Sequence, residues 1–144
     1  MEIKISSEPE APAADVEAVR AGLLAFNETF VGPANSASVQ LFVRDSDGNV
    51  LGGLLGSRRW GWLYVDKLWI REDLRGKDLG TKLLMQAEEE AIAAGCTVAA
   101  LDTFSYQARP FYEKLGYRVW ATLEDYPPGY HMYFLRKDLT HGTG

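Results

Sequence analysis

The chain reads Arg75-Gly76-Lys77-Asp78-Leu79-Gly80-Thr81 between an apolar run, Leu63 to Ile70, and a strongly helical segment. This order predicts a strand, a tight turn and the start of a helix. The first amides of a helix lack intrahelical partners and carry about half a positive charge from the macrodipole, so they attract anions. Glycines let a large anion approach the backbone, while Arg75, Lys77 and the Thr81 hydroxyl add charge and a donor. The stretch therefore predicts a phosphate site, although an ordinary solvated loop also fits it.

Length and charge limit the class of protein. With 144 residues, 47% of them apolar, the chain is long enough for one core, so residues 1–144 are expected to form a single domain. No apolar run approaches the roughly 20 residues that span a bilayer, and Met1 to Pro9 is not shaped like a signal peptide, so we expect a soluble, cytoplasmic protein without a membrane partner. The net charge of −5 argues against a nucleic-acid partner, because phosphate contacts need a basic face, and it favours a cationic small molecule.

Cysteine and histidine are too scarce for a disulfide or a clustered metal site. Cys96 is the single cysteine, and the chain has two histidines. The sequence therefore predicts no metal, a buried apolar role for Cys96 and a structural role for His131.

Periodicity and turn residues predict the order of elements. Asp15 is the expected cap of the first helix, and an Asp-Gly turn at residues 45–49 joins two strands as a hairpin. The predicted strands are Glu2 to Ser6, Ser38 to Arg44, Val50 to Gly56, Gly61 to Ile70, Thr97 to Thr103, Tyr117 to Leu123 and Tyr130 to Lys137. The predicted helices lie between Asp15 and Gly32, from about Leu79 to Ala94 and from Ala108 to Leu115. The apolar face predicted for the second helix consists of Leu79, Leu83, Leu84, Ala87 and Ala91. An α/β class follows, with strands outnumbering helices.

Two separated motifs, in this order of elements, resemble those of one family. The first is the turn from Arg75 to Gly80 with its flanking strand and helix, and the second is Ala108-Arg109-Pro110-Phe111-Tyr112-Glu113-Lys114-Leu115-Gly116-Tyr117. Together they resemble the GNAT superfamily of acyl-CoA-dependent N-acetyltransferases over nearly the whole chain. The resemblance implies one domain with a central mixed, mostly antiparallel twisted sheet of six to seven strands, flanked by three to four helices.

The resemblance also implies a site for acetyl-CoA, the acyl donor, at the turn. In the family the turn amides hold the CoA pyrophosphate, and the pantetheine bonds to main-chain groups of the preceding strand. Asp78 stands where the family usually has a glycine, so its carboxylate is expected to point to solvent or to cap the helix. Ser105 stands where many members have an asparagine that contacts the cofactor. The implied cofactor-binding residues are Leu68, Trp69, Ile70, Arg75, Gly76, Lys77, Asp78, Leu79, Gly80, Thr81 and Ser105.

Tyr112 stands where the family places a tyrosine near the CoA sulfur, which implies a general acid toward the departing thiolate. A phenol with a pKa of about 10 is protonated at neutral pH and suits that role, although helix packing also explains an aromatic residue here. The attacking amine must lose a proton, so a carboxylate is needed as base. Asp66 is the candidate, with Glu28 and Asp125 as alternatives, and Asp66 also fits a substrate anchor or a solvated strand residue.

Aromatic residues near strand ends and loops are candidates for the acceptor groove, since rings hold cations and sugars by cation–π contact and stacking. Core and rim packing is the alternative. The candidate substrate-binding residues are Glu28, Trp62, Tyr64, Tyr106, Tyr126 and Tyr130, with Trp60 beside them and a proline-rich loop, Asp125 to Tyr130, as one wall.

The resemblance implies transfer of an acetyl group from acetyl-CoA to a primary amine by direct attack in a ternary complex. The net negative charge of the chain favours a small cationic acceptor: an amino-sugar antibiotic, a polyamine or an amino acid. Three alternatives stay open: acetylation of a protein or peptide amine, a non-enzymatic acyl-CoA-binding module, and an unrelated nucleotide-phosphate binder, against which the missing Walker lysine-serine arrangement counts. Two alternatives also stay open for the last strand, Tyr130 to Lys137. It forms the interface of a homodimer, or it is covered by other parts of the same monomer.

Overall fold

The structure, a computed structural model, describes residues 1–140 of the chain. The chain divides into two compact units, Met1–Ala34 and Asn35–Gly144. The single domain expected for residues 1–144 stays a prediction. Within the described residues, no helix combines the length and the apolar character that a membrane span requires.

The first unit contains one helix, α1 (Ala13–Val31), and the segment before it. The strand predicted at Glu2 to Ser6 is wrong, because these residues form no strand. A short alternating run becomes a strand only where a neighbouring strand pairs with it, and the alternation itself carries no information about a partner.

The start of α1 also differs from the prediction. Pro12, not Asp15, occupies the cap, and the Pro12 carbonyl accepts the amides of Asp15 and Val16. Proline is compatible with a helix start because its missing N–H has no role there, and the two alanines that follow are good helix formers. Asp15 therefore lies in the first turn, where its charge still complements the helix dipole.

The second unit is built on a six-stranded sheet with the strand order β1-β2-β3-β4-β6-β5. Its strands are β1 (Ala37–Arg44), β2 (Val50–Arg59), β3 (Trp62–Ile70), β4 (Val98–Phe104), β5 (Arg118–Glu124) and β6 (His131–Asp138). Its helices are α2 (Leu79–Ala93), α3 (Arg109–Lys114) and a short 3-10 helix, Glu72–Leu74, which the sequence did not predict. Only β3 and β4 pair in parallel. The predicted α/β class with a mixed, mostly antiparallel sheet is confirmed.

The last strand is not at an edge of the sheet. β6 lies between β4 and β5 and pairs with both, whereas β1 and β5 form the edges. The described residues therefore support the alternative in which other strands of the same chain cover the last strand, and not the one in which it is free to pair with a second chain.

The predicted hairpin joins β1 to β2. Asp45 organises the turn, because its Oδ1 accepts the amides of Asp47 and Asn49 at 2.9 and 3.0 Å. The Gly48 amide donates to the Asp45 carbonyl at 3.0 Å, and Gly48 has a φ of 84°, a left-handed conformation that suits glycine. This local chemistry explains why the hairpin was readable from the sequence.

The core lies between α2 and the sheet, on the face of the helix that the sequence predicted. Four residues of that face, Leu83, Leu84, Ala87 and Ala91, are buried. They pack in one cluster with buried residues of the sheet, among them Val39, Leu54, Leu63, Val65, Ala99, Leu101 and Leu135. Cys96 belongs to the same cluster, and burial raises the pKa of its thiol, so its predicted role as a buried apolar residue is confirmed.

β3 and β4 diverge after a short paired region. Their pairing runs from Trp62 with Val98 to Val65 with Leu101 and then stops. β3 continues along β2 and β4 continues along β6, so both strands stay ordered while a gap opens between them. We call this opening the β3–β4 gap.

A β-bulge in β3 lies where the gap begins. Leu55 pairs with Lys67 and Gly56 pairs with Val65, which leaves Asp66 as the extra residue. A bulge bends a strand and increases its twist, which turns β3 away from β4. The two backbones are very close here, since a Cβ on Gly56 would lie 2.2 Å from the Tyr64 carbonyl oxygen. Only glycine therefore fits opposite the bulge.

Candidate active site

One cavity adjoins the turn that the sequence singled out, and we call it the turn cavity. It has a volume of about 600 Å³. Its walls combine the end of β3, the turn, the start of α2 and the start of α3. The lining residues are Leu68, Trp69, Ile70, Leu74, Arg75, Gly76, Asp78, Leu79, Gly80, Thr81, Tyr106, Gln107, Ala108, Phe111 and Tyr112. All the predicted cofactor-binding residues except Lys77 and Ser105 are in this list.

Ser105 is used elsewhere. Its hydroxyl accepts the His131 amide at 3.0 Å, and its amide donates to the His131 carbonyl at 2.8 Å. These bonds extend the pairing of β4 with β6 by one position. The Ser105 hydroxyl keeps its own donor, so the implied cofactor contact of Ser105 stays a prediction. The main-chain bonds of His131 agree with the structural role predicted for it.

The turn presents donors and positive charge to the cavity. Leu79, Gly80 and Thr81 occupy the first turn of α2, where helix amides lack intrahelical partners. Arg75 Nε donates to the Ile70 carbonyl at 3.1 Å, which holds the guanidinium beside the end of β3. Gly76, with a φ of 83° and no atom near a notional Cβ, leaves the backbone open on this side. The arrangement suits a phosphate group.

Asp78 caps α2 with its backbone only. It adopts a left-handed conformation, φ 63°, which aspartate tolerates better than most residues, and its side chain makes no capping hydrogen bond. The side chain is exposed, as expected from the sequence, yet the residue lines the turn cavity. Its carboxylate is therefore a negative charge at the rim of an anion site.

Gly80 lines the turn cavity and also lies next to α3. A Cβ at this position would lie 3.4 Å from the Phe111 ring, which is ordinary van der Waals contact. The start of α2 therefore lies beside the part of α3 that carries Phe111 and Tyr112.

The main chain of β3 exposes alternate residues to the gap. The Arg71 amide donates to the Leu51 carbonyl at 2.9 Å, so the main-chain groups of Arg71 face β2. Because these groups alternate along a strand, those of Trp69 also face β2, and those of Leu68 and Ile70 face the gap. Of the three predicted residues, Leu68 offers its amide and carbonyl to a ligand in the gap, and Ile70 offers its amide, because the Ile70 carbonyl accepts Arg75 Nε.

Tyr112 lies on α3 and is buried, with 7% of its surface exposed. Burial and, second, the charge of Asp102 raise the pKa of its phenol to about 12. The phenol is therefore protonated at neutral pH, as a general acid must be before it acts.

A second cavity, of about 420 Å³, lies in the β3–β4 gap, and we call it the gap cavity. It is lined by Val65, Asp66, Lys67, Leu68, Asp102, Thr103, Phe104, Gln107, Ala108, Tyr112 and Met132. Four of these, Leu68, Gln107, Ala108 and Tyr112, also line the turn cavity. The two cavities therefore meet at Tyr112.

The gap cavity contains the predicted base and a carboxylate that the sequence analysis missed. Asp66 is exposed and lies 3.5 Å from Lys67 Nζ. Asp102, on β4, is half-buried, and its Oδ2 accepts a hydrogen bond from the Tyr64 hydroxyl. Burial and then this bond raise the pKa of Tyr64, so Tyr64 remains the donor. A lone acidic residue in an apolar strand gives no local sequence signal, and only the pairing of β3 with β4 reveals the contact.

Gln107 is a second residue that the sequence analysis missed. Its Oε1 accepts the Phe104 amide at 2.7 Å and the Thr103 hydroxyl at 3.2 Å. With the oxygen fixed in this way, the side-chain NH₂ group is left as a donor at the junction of the two cavities.

The predicted acceptor aromatics separate into two groups. Tyr106, Tyr126 and Tyr130 form one aromatic cluster with Phe104. The centroid of the Phe104 ring lies 5.4 Å from that of Tyr106 and 5.9 Å from that of Tyr126. The Tyr106 and Tyr130 centroids are 5.0 Å apart. Of these three, only Tyr106 lines the turn cavity, and none lines the gap cavity. Asp125 Oδ1 accepts the Gly129 amide at 2.7 Å, so this alternative base is occupied within the loop.

Trp60 and Trp62 lie at the turn between β2 and β3 and line neither the turn cavity nor the gap cavity. Trp60, Trp62 and Tyr64 line a third cavity of about 390 Å³. The Arg136 guanidinium lies over the Trp62 ring at 5.0 Å. Glu28 belongs to the first unit, where its Oε2 accepts the Ala34 amide at 2.8 Å. Of the predicted substrate residues, Tyr64 is the one connected to the gap cavity, through Asp102.

Comparison with known proteins gives one family. Residues 8–117 match the model of the Acetyltransferase (GNAT) family. The chain is 42% identical over 93 residues to a blasticidin-S acetyltransferase of Streptomyces morookaense, an alignment that covers 64% of this chain and 68% of the relative. The crystal structure of an acetyltransferase from Agrobacterium tumefaciens is 34% identical, covers 96% of this chain and 99% of its own, and superposes with a TM-score of 0.85.

A more distant structure shares the fold. A streptothricin acetyltransferase from Bacillus anthracis, in complex with acetyl coenzyme A, is 17% identical with a TM-score of 0.62, and the match covers 78% of this chain and 67% of the other. The family model extends over most of the chain, and the Agrobacterium structure matches nearly all of it. The chain belongs to the Acetyltransferase (GNAT) family and is an acyl-CoA-dependent N-acetyltransferase whose acyl donor is acetyl-CoA.

Proposed function

We propose that the enzyme acetylates the primary amine of a small cationic molecule by direct attack in a ternary complex. The observation that carries this proposal is the meeting of the turn cavity and the gap cavity at Tyr112. Two reactants held in adjoining cavities react without a covalent intermediate when their reacting atoms are brought together. The similarity to a blasticidin-S acetyltransferase supports a small-molecule acceptor.

The turn cavity is the proposed donor site. Acetyl-CoA supplies an acetyl thioester when it is bound. The amides of Leu79, Gly80 and Thr81 and the guanidinium of Arg75 would hold its pyrophosphate. Main-chain groups of Leu68 and Ile70 would bond to the pantetheine arm like a neighbouring strand.

The gap cavity is the proposed acceptor site. Two carboxylates, Asp66 and Asp102, and one lysine, Lys67, line it, so acidic groups are in excess. An ammonium group is attracted to such a site and also carries the nitrogen that must react. This charge balance favours a cationic amine over a neutral or acidic acceptor.

Tyr112 is the proposed general acid. It lines both cavities, so its hydroxyl is available where donor and acceptor would meet. Its raised pKa, about 12, keeps the phenol protonated until the sulfur leaves as a thiolate, which is the base that it would neutralise.

A panel of amines tests the proposal. Thiol release from acetyl-CoA is measured with blasticidin S, an aminoglycoside, spermidine, a free amino acid and a lysine-containing peptide. We expect turnover with at least one small cationic amine and a lower kcat/KM with the peptide. Turnover with the peptide alone would contradict the proposed substrate class, and acetyl-CoA binding without turnover of any amine would contradict the proposed reaction.

A further inference from the structure

Asp102 is a half-buried carboxylate without a cation. Tyr64 donates to its Oδ2, and its other oxygen, Oδ1, has no hydrogen-bond partner among residues 1–140. No basic side chain in the same part of the chain forms an ion pair with it. Among the described residues no buried side-chain oxygen lacks a hydrogen-bond partner, so Oδ1 is accessible and can meet a cation that enters the gap cavity.

We propose that Asp102 binds the acceptor ammonium through Oδ1 and takes its proton, and that Tyr64 holds Asp102 in position for this. The proposal rests on the proposed function and deepens it. It names the base and assigns the cationic acceptor to one end of the gap cavity, where Asp102 and Tyr112 both lie.

Asp66, the base predicted from the sequence, is less suited to this role. Its side chain is 56% exposed, and the neighbouring Lys67 Nζ is 3.5 Å from its Oδ2. Exposed ion pairs of this kind contribute little, about 0 to 1 kcal/mol, and water competes for both groups. Asp66 also lies in the bulge, which displaces it from the regular alternation of β3.

The charged and titratable groups around Asp102 leave it available. On β3 these are Tyr64, which donates to it, and the exposed pair Asp66 and Lys67. On α3 the phenol of Tyr112 senses the charge of Asp102. On β6 the Arg136 guanidinium lies over the Trp62 ring, and on β2 the Arg59 guanidinium lies over the Trp60 ring. An incoming ammonium would therefore be the cation that Asp102 lacks.

The proton steps balance with these residues. The ammonium gives one proton to Asp102, which leaves the nitrogen with a lone pair. The nitrogen then forms its bond to the acetyl carbon and the carbon–sulfur bond breaks. Tyr112 gives its hydroxyl proton to the departing sulfur and regains one from the nitrogen through water, while Asp102 releases its proton to solvent. The products are one amide, one thiol and one proton.

Tyr64 is a positioning residue in this scheme. Its ring lies on β3 in the region that still pairs with β4, and its hydroxyl bonds to β4 at the first residue beyond that region. The bond therefore fixes the orientation of Asp102 at the point where the strands separate. Loss of the hydroxyl would leave the carboxylate free to rotate without removing the base.

The test compares three variants: Asp102→Asn, Asp66→Asn and Tyr64→Phe. Acetyl transfer to blasticidin S, or to the panel amine with the highest wild-type kcat/KM, is measured from about pH 7 to 9. Binding of the same amine is measured by calorimetry, and the thermal shift with acetyl-CoA checks that each variant keeps its fold and donor site.

We expect Asp102→Asn to lower kcat by about 100-fold at pH 7 and to weaken amine binding, because general bases contribute on the order of 100-fold or more. The deficit should shrink as pH rises, since more of the amine is then already deprotonated. Asp66→Asn removes one negative charge from the acceptor site, so it should mainly raise the KM for the amine, lower kcat far less than Asp102→Asn does and keep the wild-type pH dependence. Tyr64→Phe should lower kcat by roughly tenfold and keep the wild-type pH dependence.

Two results would overturn the inference. One is an Asp102→Asn enzyme with normal kcat and amine binding, and the other is a larger loss in Asp66→Asn. In both cases the wild-type enzyme still transfers acetyl, so the proposed function stands. A wild-type enzyme that acetylates no amine of the panel would instead overturn the proposed function, and this inference with it.

Discussion

Tyr64, Tyr112 and Tyr117 hold their protons more tightly than a tyrosine in water. Burial is the largest cause of the raised pKa in each, and the carboxylates of Asp102 and Glu88 add to it. A neutral phenol is a fixed hydrogen-bond donor, which is the role of Tyr64 and Tyr117. At Tyr112 the same property keeps the phenol protonated at neutral pH, so that its proton is present when the leaving group forms.

The carboxylate of Asp78 places a negative charge in the turn, which is unfavourable for a bound anion. We expect Asp78→Asn to bind acetyl-CoA roughly threefold more tightly at low salt, because asparagine keeps the left-handed backbone and removes only the charge. Equilibrium dialysis at low and high salt measures this. Asp47→Asn, in the exposed β1–β2 turn, is the matched control and should bind as wild type does. Unchanged affinity in Asp78→Asn would mean that its carboxylate does not face the phosphates.

At the scale of elements, the bulge and the divergence of β3 from β4 create the site. Gly56 permits the close approach of β2 to β3, and Tyr64 joins β3 to β4 at the beginning of the gap. The second contact joins two strands between which α2 lies in the sequence. The site is therefore a product of packing rather than of any one motif.

Gly56→Ala tests the role of the bulge. The new Cβ would lie 2.2 Å from the Tyr64 carbonyl oxygen, so β2 or β3 must shift. We expect a loss of at least about 2 kcal/mol in the free energy of unfolding, measured in urea, because backbone atoms cannot move aside cheaply. Gly22→Ala, in α1 with no atom within 4 Å of its Cβ, should not destabilise. Equal stability of Gly56→Ala and wild type would contradict the close approach.

A buried charge cluster connects α2 to β6. Glu88 is 8% exposed and accepts the Tyr117 hydroxyl at 2.6 Å and Lys137 Nζ at 2.8 Å. We expect Glu88→Gln to lower the free energy of unfolding by about 2 to 3 kcal/mol, because Lys137 would lose its counter-charge. Glu89→Gln, the exposed neighbour, should change it by less than about 0.5 kcal/mol. Urea unfolding measures both, and equal effects would show that the cluster adds nothing specific.

At the scale of the whole molecule, local signals were readable from the sequence and distant contacts were not. The Asp45 turn, the apolar face of α2 and the turn before α2 depend on neighbouring residues, and all three were predicted. The Tyr64–Asp102 bond joins residues 38 apart, and the Lys137–Glu88 pair joins residues 49 apart. Contacts between residues so far apart leave no pattern in a single sequence. The sequence therefore indicates Asp66, and not Asp102, as the candidate base.

The strand predicted at Glu2 to Ser6 is wrong because a local pattern does not show whether a pairing strand is present. Alternation is a local property, whereas a strand exists only with a partner. The arrangement of β6 between β4 and β5 likewise follows from the order of pairing across the sheet, not from the residues of Tyr130 to Lys137. The family motifs supplied the part of the fold that local patterns could not.

The central claim is that Tyr112 gives its proton to the leaving group where the two cavities meet, and the kcat of Tyr112→Phe tests it most directly. We predict that kcat falls by about 100-fold at neutral pH while the acetyl-CoA thermal shift is retained. In the wild-type enzyme kcat should also decrease as pH approaches the phenol pKa of about 12, and the variant should not show this decrease. Tyr133→Phe, on β6, is the matched control and should stay close to wild type. A Tyr112→Phe enzyme with wild-type kcat would contradict the account.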